Sequence, residues 1–273
     1  MAYMSAERNY SRLTMELYRR EITEFGEFLR REGLGGWSQV DRPVVRRYLA
    51  WLGAQAYARG SIARRLAEVR SFFKFLHREG HITQNPLRSM SSPKVEKRLP
   101  EFLSVAETVA LLSVPDGSTP LGLRDRAILE ILYSSGIRVS ELIGLDMGSV
   151  DFDQREARVW GKGAKERIVL LGQPAVRALQ TYVSQVRGKL LGPKTSNALF
   201  LNRLGARFSV RGVQRLMDES AEKAGLARHI TPHTLRHTFA THVLDGGADY
   251  RGDPALAERL RDLLGDRLIF KRC

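Results

Sequence analysis

One cysteine in 273 residues, Cys273, is too few for an intrachain disulfide, a usage that fits a reducing cytoplasm. No apolar run approaches the length of a transmembrane helix, and the opening stretch MAYMSAERNYSRL has no apolar core of the kind a secretory leader carries. Negative charge is scarce: 30 Asp and Glu face 44 Lys and Arg, for a net charge of +14 and a pI near 10.3. That imbalance points to a polyanionic partner, DNA or RNA before any other. A membrane surface is disfavoured because no polybasic tract flanks an apolar anchor. With 43% hydrophobic and 27% charged residues, the chain has material for a globular core, and its length suits two domains.

Helical periodicity runs from Met4 to about Gly80. Tyr18, Ile22, Phe25, Phe28 and Leu29 share one face of a first helix, which the glycines of REGLGG end. DRPVVRRYLAWLG reads as a second helix, with Pro43 in its first turn. A third begins near Ser61, where Ile62, Leu66, Val69, Phe73 and Leu76 form the apolar stripe and leave Arg64, Arg65, Arg70 and Lys74 off it. Sixteen basic against nine acidic residues precede Ser91, half of the whole excess, so these four are expected to face phosphates rather than only water. Residues 1–87 then form a helical domain. Residues 88–100 form a basic linker, broken by Pro93 and Pro100 and carrying Lys94, Lys97 and Arg98, three further candidate DNA contacts. Residues 101–273 form the second domain.

In that second domain Ser104 and Glu107 make a capping box, and Ala127, Ile128, Ile131 and Leu132 line one face of a helix that closes at Gly136. EARVWGKGAKERIVLLG reads as a hairpin, two strand-like runs around Gly161-Lys162-Gly163. Helices follow near 174–187 and 210–224, and another carries TPHTLRHTFATHVLDGGADY. The expected class is mainly α with a small antiparallel β-sheet in the C-terminal domain.

Four residues stand out chemically. Arg138, just past a helix end in SSGIRVSEL, is either an ion-pair partner of a carboxylate such as Glu141 or an anion ligand held by a rigid frame. Lys162 sits at a glycine-flanked turn. It belongs to no P-loop, since GxxxxGK[ST] is absent. His233 and Arg236, three apart in HTLRH, share one helical face and reach one phosphate. A metal site is disfavoured, because Thr234 stands where HExxH has its glutamate and Arg236 would set a permanent cation beside the ion. His237 and His242 read as histidines satisfied within the core.

GIRVSEL, WGKGAKERIVLLG and TPHTLRHTFATHVLDGGAD together resemble the successive signatures of the tyrosine site-specific recombinases, the phage-integrase family, and most of all its bacterial Xer branch. The resemblance extends from Met4 to Asp249. It implies a two-domain DNA clamp, with a four-helix core-binding domain and an α+β catalytic domain that close around DNA. Arg138 and Arg236 match the arginine pair that grips the scissile phosphate. Lys162 matches the hairpin lysine that protonates the departing 5′ oxygen, and His233 the histidine that manages the proton of the attacking tyrosine. A 3′-phosphotyrosyl intermediate conserves the phosphodiester energy, so neither ATP, metal nor any other cofactor is expected. The implied partners are double-stranded DNA and a second recombinase subunit or further copies of the chain, in the cytoplasm, for chromosome dimer resolution.

The end of the chain departs from that family. DLLGDRLIFKRC has Asp266 where LLGH would have its histidine, and no tyrosine follows Tyr250, which lies only fourteen residues after Arg236. No nucleophile is therefore assigned, and the tail after Asp249 reads as truncated or altered. The rival expectations are a mobile-element integrase, a catalytically dead DNA-binding remnant and, from unrelated chemistry, a metal-dependent nuclease.

Overall fold

The computed structural model describes residues 12–90, 101–161, 166–192 and 195–245, in two units, Met1–Arg98 and Leu99–Cys273. The described part of the first unit contains α1 (Arg12–Arg31), α2 (Arg42–Ala54) and α3 (Arg59–Arg78). Their boundaries follow local chemistry. Gly33, at φ +75°, closes α1: its amide donates to the Arg30 carbonyl (3.1 Å) and the Leu34 amide to that of Leu29 (3.0 Å), a turn that needs the left-handed conformation. The Asp41 carboxylate caps α2 by accepting from the Val44 amide (2.9 Å), and Pro43 occupies the first turn. The apolar stripes meet in one core. Phe25 stands edge-on to Tyr48 (4.7 Å) and to Phe73 (6.1 Å), above buried Leu52, Leu66 and Val69. Each such side chain contributes about 1.5–3 kcal/mol by leaving water.

The second unit is mostly helical with one small sheet. It runs α4 (Val105–Ser113), α5 (Pro120–Ser135), α6 (Val139–Gly144), β1 (Val150–Asp151), β2 (Glu156–Trp160), β3 (Glu166–Leu170), α7 (Gln173–Tyr182), α8 (Gly188–Leu191), α9 (Val210–Lys223) and α10 (Pro232–Asp245). The expected capping box opens α4, Ser104 and Glu107 each bonding the other's backbone amide. At the centre lies α5, with Ala127, Ile128, Ile131 and Leu132 fully buried, packed along α7 and α10. A π-turn, Val183–Arg187, follows α7 and brings Arg187 inward to donate to the carbonyls of Ser196 (2.7 Å) and Ala198 (2.7 Å).

The sheet has the order β1-β2-β3, antiparallel throughout, with Val159 opposite Arg167 and Trp160 opposite Glu166. Ala157, Val159 and Val169 face the core. Trp160, Ile168 and Leu170 face outward and stay about 60% exposed. The hairpin expected from EARVWGKGAKERIVLLG is thus present in its strands, and β1 adds a third that the pattern did not announce.

Candidate active site

The site is built where α5 stops. Gly136 takes φ +55°, turning the chain out of the helix. Fully buried Ile137 then pins the exit, and Arg138 follows in extended conformation as the N-cap of α6. Glu141, in the first turn of α6, folds back. Its Oε2 accepts from the Arg138 backbone amide (2.9 Å) and its Oε1 from Arg138 Nη1 (3.1 Å). The two sequence alternatives for Arg138 are therefore compatible. The ion pair with Glu141 forms, and the Arg138 side chain is still 38% exposed.

Arg236 arrives from α10. That helix begins at Pro232, behind a reciprocal cap in which the Thr231 and Thr234 hydroxyls each accept from the other's backbone amide (3.2 Å). His233 is exposed on the first turn. Arg236, one turn on, is only 7% exposed, and its Nη1 donates to the Gly136 carbonyl (2.5 Å). Phe239, on the next turn, covers Gly136 so closely that a Cβ there would lie 2.7 Å from its Cδ1. The start of α10 is thereby docked on the end of α5, and the Gly136 carbonyl that Arg236 bonds lies two residues before Arg138 in the chain. Arg236 thus meets the segment that leads to Arg138, and guanidiniums are the side chains suited to a phosphate-like anion.

The other histidines behave as their positions suggest. The Nδ1 of His242 shares a hydrogen bond with the Tyr133 hydroxyl (3.0 Å), and His237 is half-buried. Burial raises the Tyr133 hydroxyl pKa, with Glu130 adding in the same direction. Among the described residues no three His, Cys, Asp or Glu side chains group as metal ligands.

One member of the corner was missed from the sequence. Arg167, on β3, donates through Nη2 to Glu141 Oε2 (2.8 Å), so the buried Glu141 carboxylate lies between two guanidiniums. Strand alternation groups Arg167 with Val169 and Ile168 with Leu170, but by hydrophobicity alone the Ile168–Leu170 face would be the buried one, so no signal in the sequence marked Arg167 as turned inward. Lys162 lies outside the described residues, as do Tyr250 and Asp266. The strands that lead to the hairpin turn are paired up to Trp160 and Glu166.

Residues 101–252 match the model of the phage integrase family, and residues 1–80 that of the phage integrase N-terminal SAM-like domain. The chain belongs to the phage integrase family. It is 45% identical over 270 residues to a tyrosine recombinase XerC of Pelotomaculum thermopropionicum, covering 96% of this chain and 88% of that protein. It is 42% identical to a tyrosine recombinase XerC of Syntrophus aciditrophicus, covering 96% and 86%. The fold matches the Tn1549 transposon integrase, solved in complex with transposon right end DNA, with a TM-score of 0.75 at 19% identity, over 94% of this chain and 88% of that one.

Within this phage-integrase chain, the basic residues of α3 depart from the expectation that all four face phosphates. Arg65 is 5% exposed: it is paired with Glu21 and with Glu24 (2.6 Å), and its guanidinium lies over the Tyr57 ring at 4.2 Å. Arg65 is withdrawn from the candidate DNA contacts, because the fully buried carboxylate of Glu21 on α1 draws it into the helix interface. Arg64, 41% exposed, is shared between Glu21 (3.1 Å) and Glu68 (2.6 Å). Arg70 is half-buried and donates to the Met90 carbonyl (2.8 Å). Lys74, by contrast, is exposed. Sequence spacing put these residues off the apolar stripe but did not reveal the acidic groups of α1 that meet Arg64 and Arg65. Lys94, Lys97 and Arg98 lie outside the described residues.

Proposed function

We propose that this chain is a Xer-like site-specific recombinase that acts on double-stranded DNA in the cytoplasm, in the resolution of chromosome dimers. Arg138 and Arg236 bind the non-bridging oxygens of the scissile phosphate and stabilise the charge that accumulates as phosphorus becomes five-coordinate. A phenolic oxygen attacks, the bond to the 5′ oxygen breaks, and Lys162 protonates that departing oxygen. His233 handles the proton of the phenol. The bond energy is kept in the 3′-phosphotyrosyl linkage and is returned when the 5′ hydroxyl of the exchanged strand attacks.

The observation that carries this reading is the Arg236–Gly136 hydrogen bond, which supports a shared phosphate pocket for the two arginines. The test begins by selecting bound duplexes from a random pool. Strand exchange is then assayed on the selected site, with a complete relative present. One enriched, two-fold-related sequence and recombinant products lost on Arg138→Ala are expected. Enrichment without any exchange favours the DNA-binding remnant. Cleavage that requires a divalent metal and ignores Arg138 overturns the reading.

A further inference from the structure

We infer that Arg167 is a positioning residue that acts through Glu141 on Arg138 and ties the root of the β2–β3 hairpin to the phosphate pocket; the inference rests on the reading of Arg138 as a phosphate ligand. Its place in the sheet is the first observation. Arg167 lies opposite Val159, and directly opposed residues of an antiparallel pair point to the same face. Val159 is 1% exposed, so Arg167 projects toward the core side. The apolar Ile168 and Leu170 are turned to water instead, 58% and 60% exposed. A strand that turns its arginine inward and its isoleucine and leucine outward breaks the usual pattern, and such local conflicts mark functional constraint.

What Arg167 meets there is a carboxylate already bonded to Arg138. Glu141 Oε2 takes one hydrogen bond from Arg167 (2.8 Å) and one from the Arg138 backbone (2.9 Å), while Oε1 takes the Arg138 guanidinium (3.1 Å). The Glu141 side chain is 2% exposed, so water cannot replace a lost donor without rearrangement. Arg167 Nε is buried with no hydrogen-bond partner among the described residues, and the pair with Glu141 holds the side chain in place.

The consequence for chemistry is geometric. An arginine side chain has several rotatable bonds, and an anion site that must orient it repeats the ordering cost at each encounter. Glu141, fixed from both sides, holds the Arg138 guanidinium in one orientation before the phosphate arrives. The same chain of contacts runs from α6 to β3, where Arg167 is one residue past Glu166, the start of the strand. Movement of the hairpin root and of Arg138 are therefore coupled.

The test uses the full chain with arginine side chains labelled for NMR, titrated with inorganic tungstate as a phosphate mimic. The Arg138→Ala variant assigns the Arg138 guanidinium signal. Saturable tungstate binding at Arg138 is expected. In Arg167→Ala the Arg138 signal should broaden before any anion is added, and tungstate affinity should fall by about tenfold, the scale for losing a partner that orients a ligand. Arg167→Lys, which keeps a cation beside Glu141, should recover most of that loss, with a melting temperature near that of the wild type. Unchanged tungstate affinity and line shape in Arg167→Ala, with binding intact in the wild type, overturns the role of Arg167 alone. Equal losses in Arg167→Ala and Arg167→Lys together with a large drop in melting temperature also overturn it, in favour of a merely structural pair. Absence of tungstate binding at Arg138 in the wild type overturns the phosphate-pocket reading, and this inference with it.

Discussion

Arg236 of α10 donates a hydrogen bond to the carbonyl of Gly136 at the end of α5, across 100 positions of sequence and two residues before Arg138. The contact makes Arg236 part of the fold as well as of the pocket. A cation aimed at an empty anion site contributes little to stability, which is the simplest expectation for both arginines. Arg138 fits it: its pair is partly exposed, and Glu141 keeps Arg167 when Arg138 is lost. Arg138→Ala should cost under about 1 kcal/mol. Arg236→Ala removes a buried donor and should cost about 1–3 kcal/mol. Urea unfolding of the two variants checks the order, and a larger loss for Arg138→Ala would reverse the assignment.

Gly136→Ala should damage both stability and the pocket. A left-handed φ of +55° disfavours any side chain, and the new Cβ would meet Phe239 at 2.7 Å. We expect a loss of about 1–3 kcal/mol, read by thermal melting. Because Phe239 is one turn from Arg236, relief of the clash displaces α10, and tungstate or DNA binding should weaken with it. A variant as stable as the parent would show that α10 is free to shift.

The buried charges between α1 and α3 give two opposite expectations. Arg65→Ala leaves fully buried Glu21 short of a partner and should cost about 3 kcal/mol. Glu68→Gln should be neutral or stabilising at pH 7. Burial raises the Glu68 pKa above its ordinary 4.5, more than Arg64 lowers it, so the folded chain holds the proton more tightly than the unfolded one. The stability from that proton is present below 4.5 and is lost as pH rises through the raised value. Parallel denaturant melts across that range should show a smaller pH slope in Glu68→Gln.

DNA binding should weaken steeply with salt. The net charge of +14 and the exposed cations, Lys74 among them, predict a log–log slope of about −0.9 for each phosphate neutralised. Fluorescence anisotropy at rising salt measures it. A flat response counts against phosphate contacts as the source of affinity.

The polypeptide of these 273 residues, assayed by itself, should form no covalent DNA adduct, since its last tyrosine is Tyr250. A nicked duplex that traps a 3′-phosphotyrosyl bond, resolved on a denaturing gel, gives the answer. An adduct mapped to Tyr250 would make that residue the nucleophile.

The sequence by itself determined the local structure. Capping residues such as Asp41 and Ser104 act on amides three positions away, glycines such as Gly33 and Gly136 end helices through their own φ, and apolar stripes choose the buried face of each helix. Pairs close in sequence were legible for the same reason: Arg138 with Glu141, and His233 with Arg236 on one face. Tertiary structure decided which charges meet across elements. Spacing left Arg65 off the apolar stripe, yet it is buried, because Glu21 and Glu24 of α1 lie opposite it. Strand alternation put Arg167 on one face with Val169, but only packing turned that face inward, and its partner Glu141 is 26 residues upstream. Nothing in local sequence sets such partners, since a guanidinium pairs with whichever carboxylate the packing of apolar faces brings within reach. Arg138 and Arg236 share a corner for that reason: the close fit of Phe239 on Gly136 sets the docking of α10 against α5.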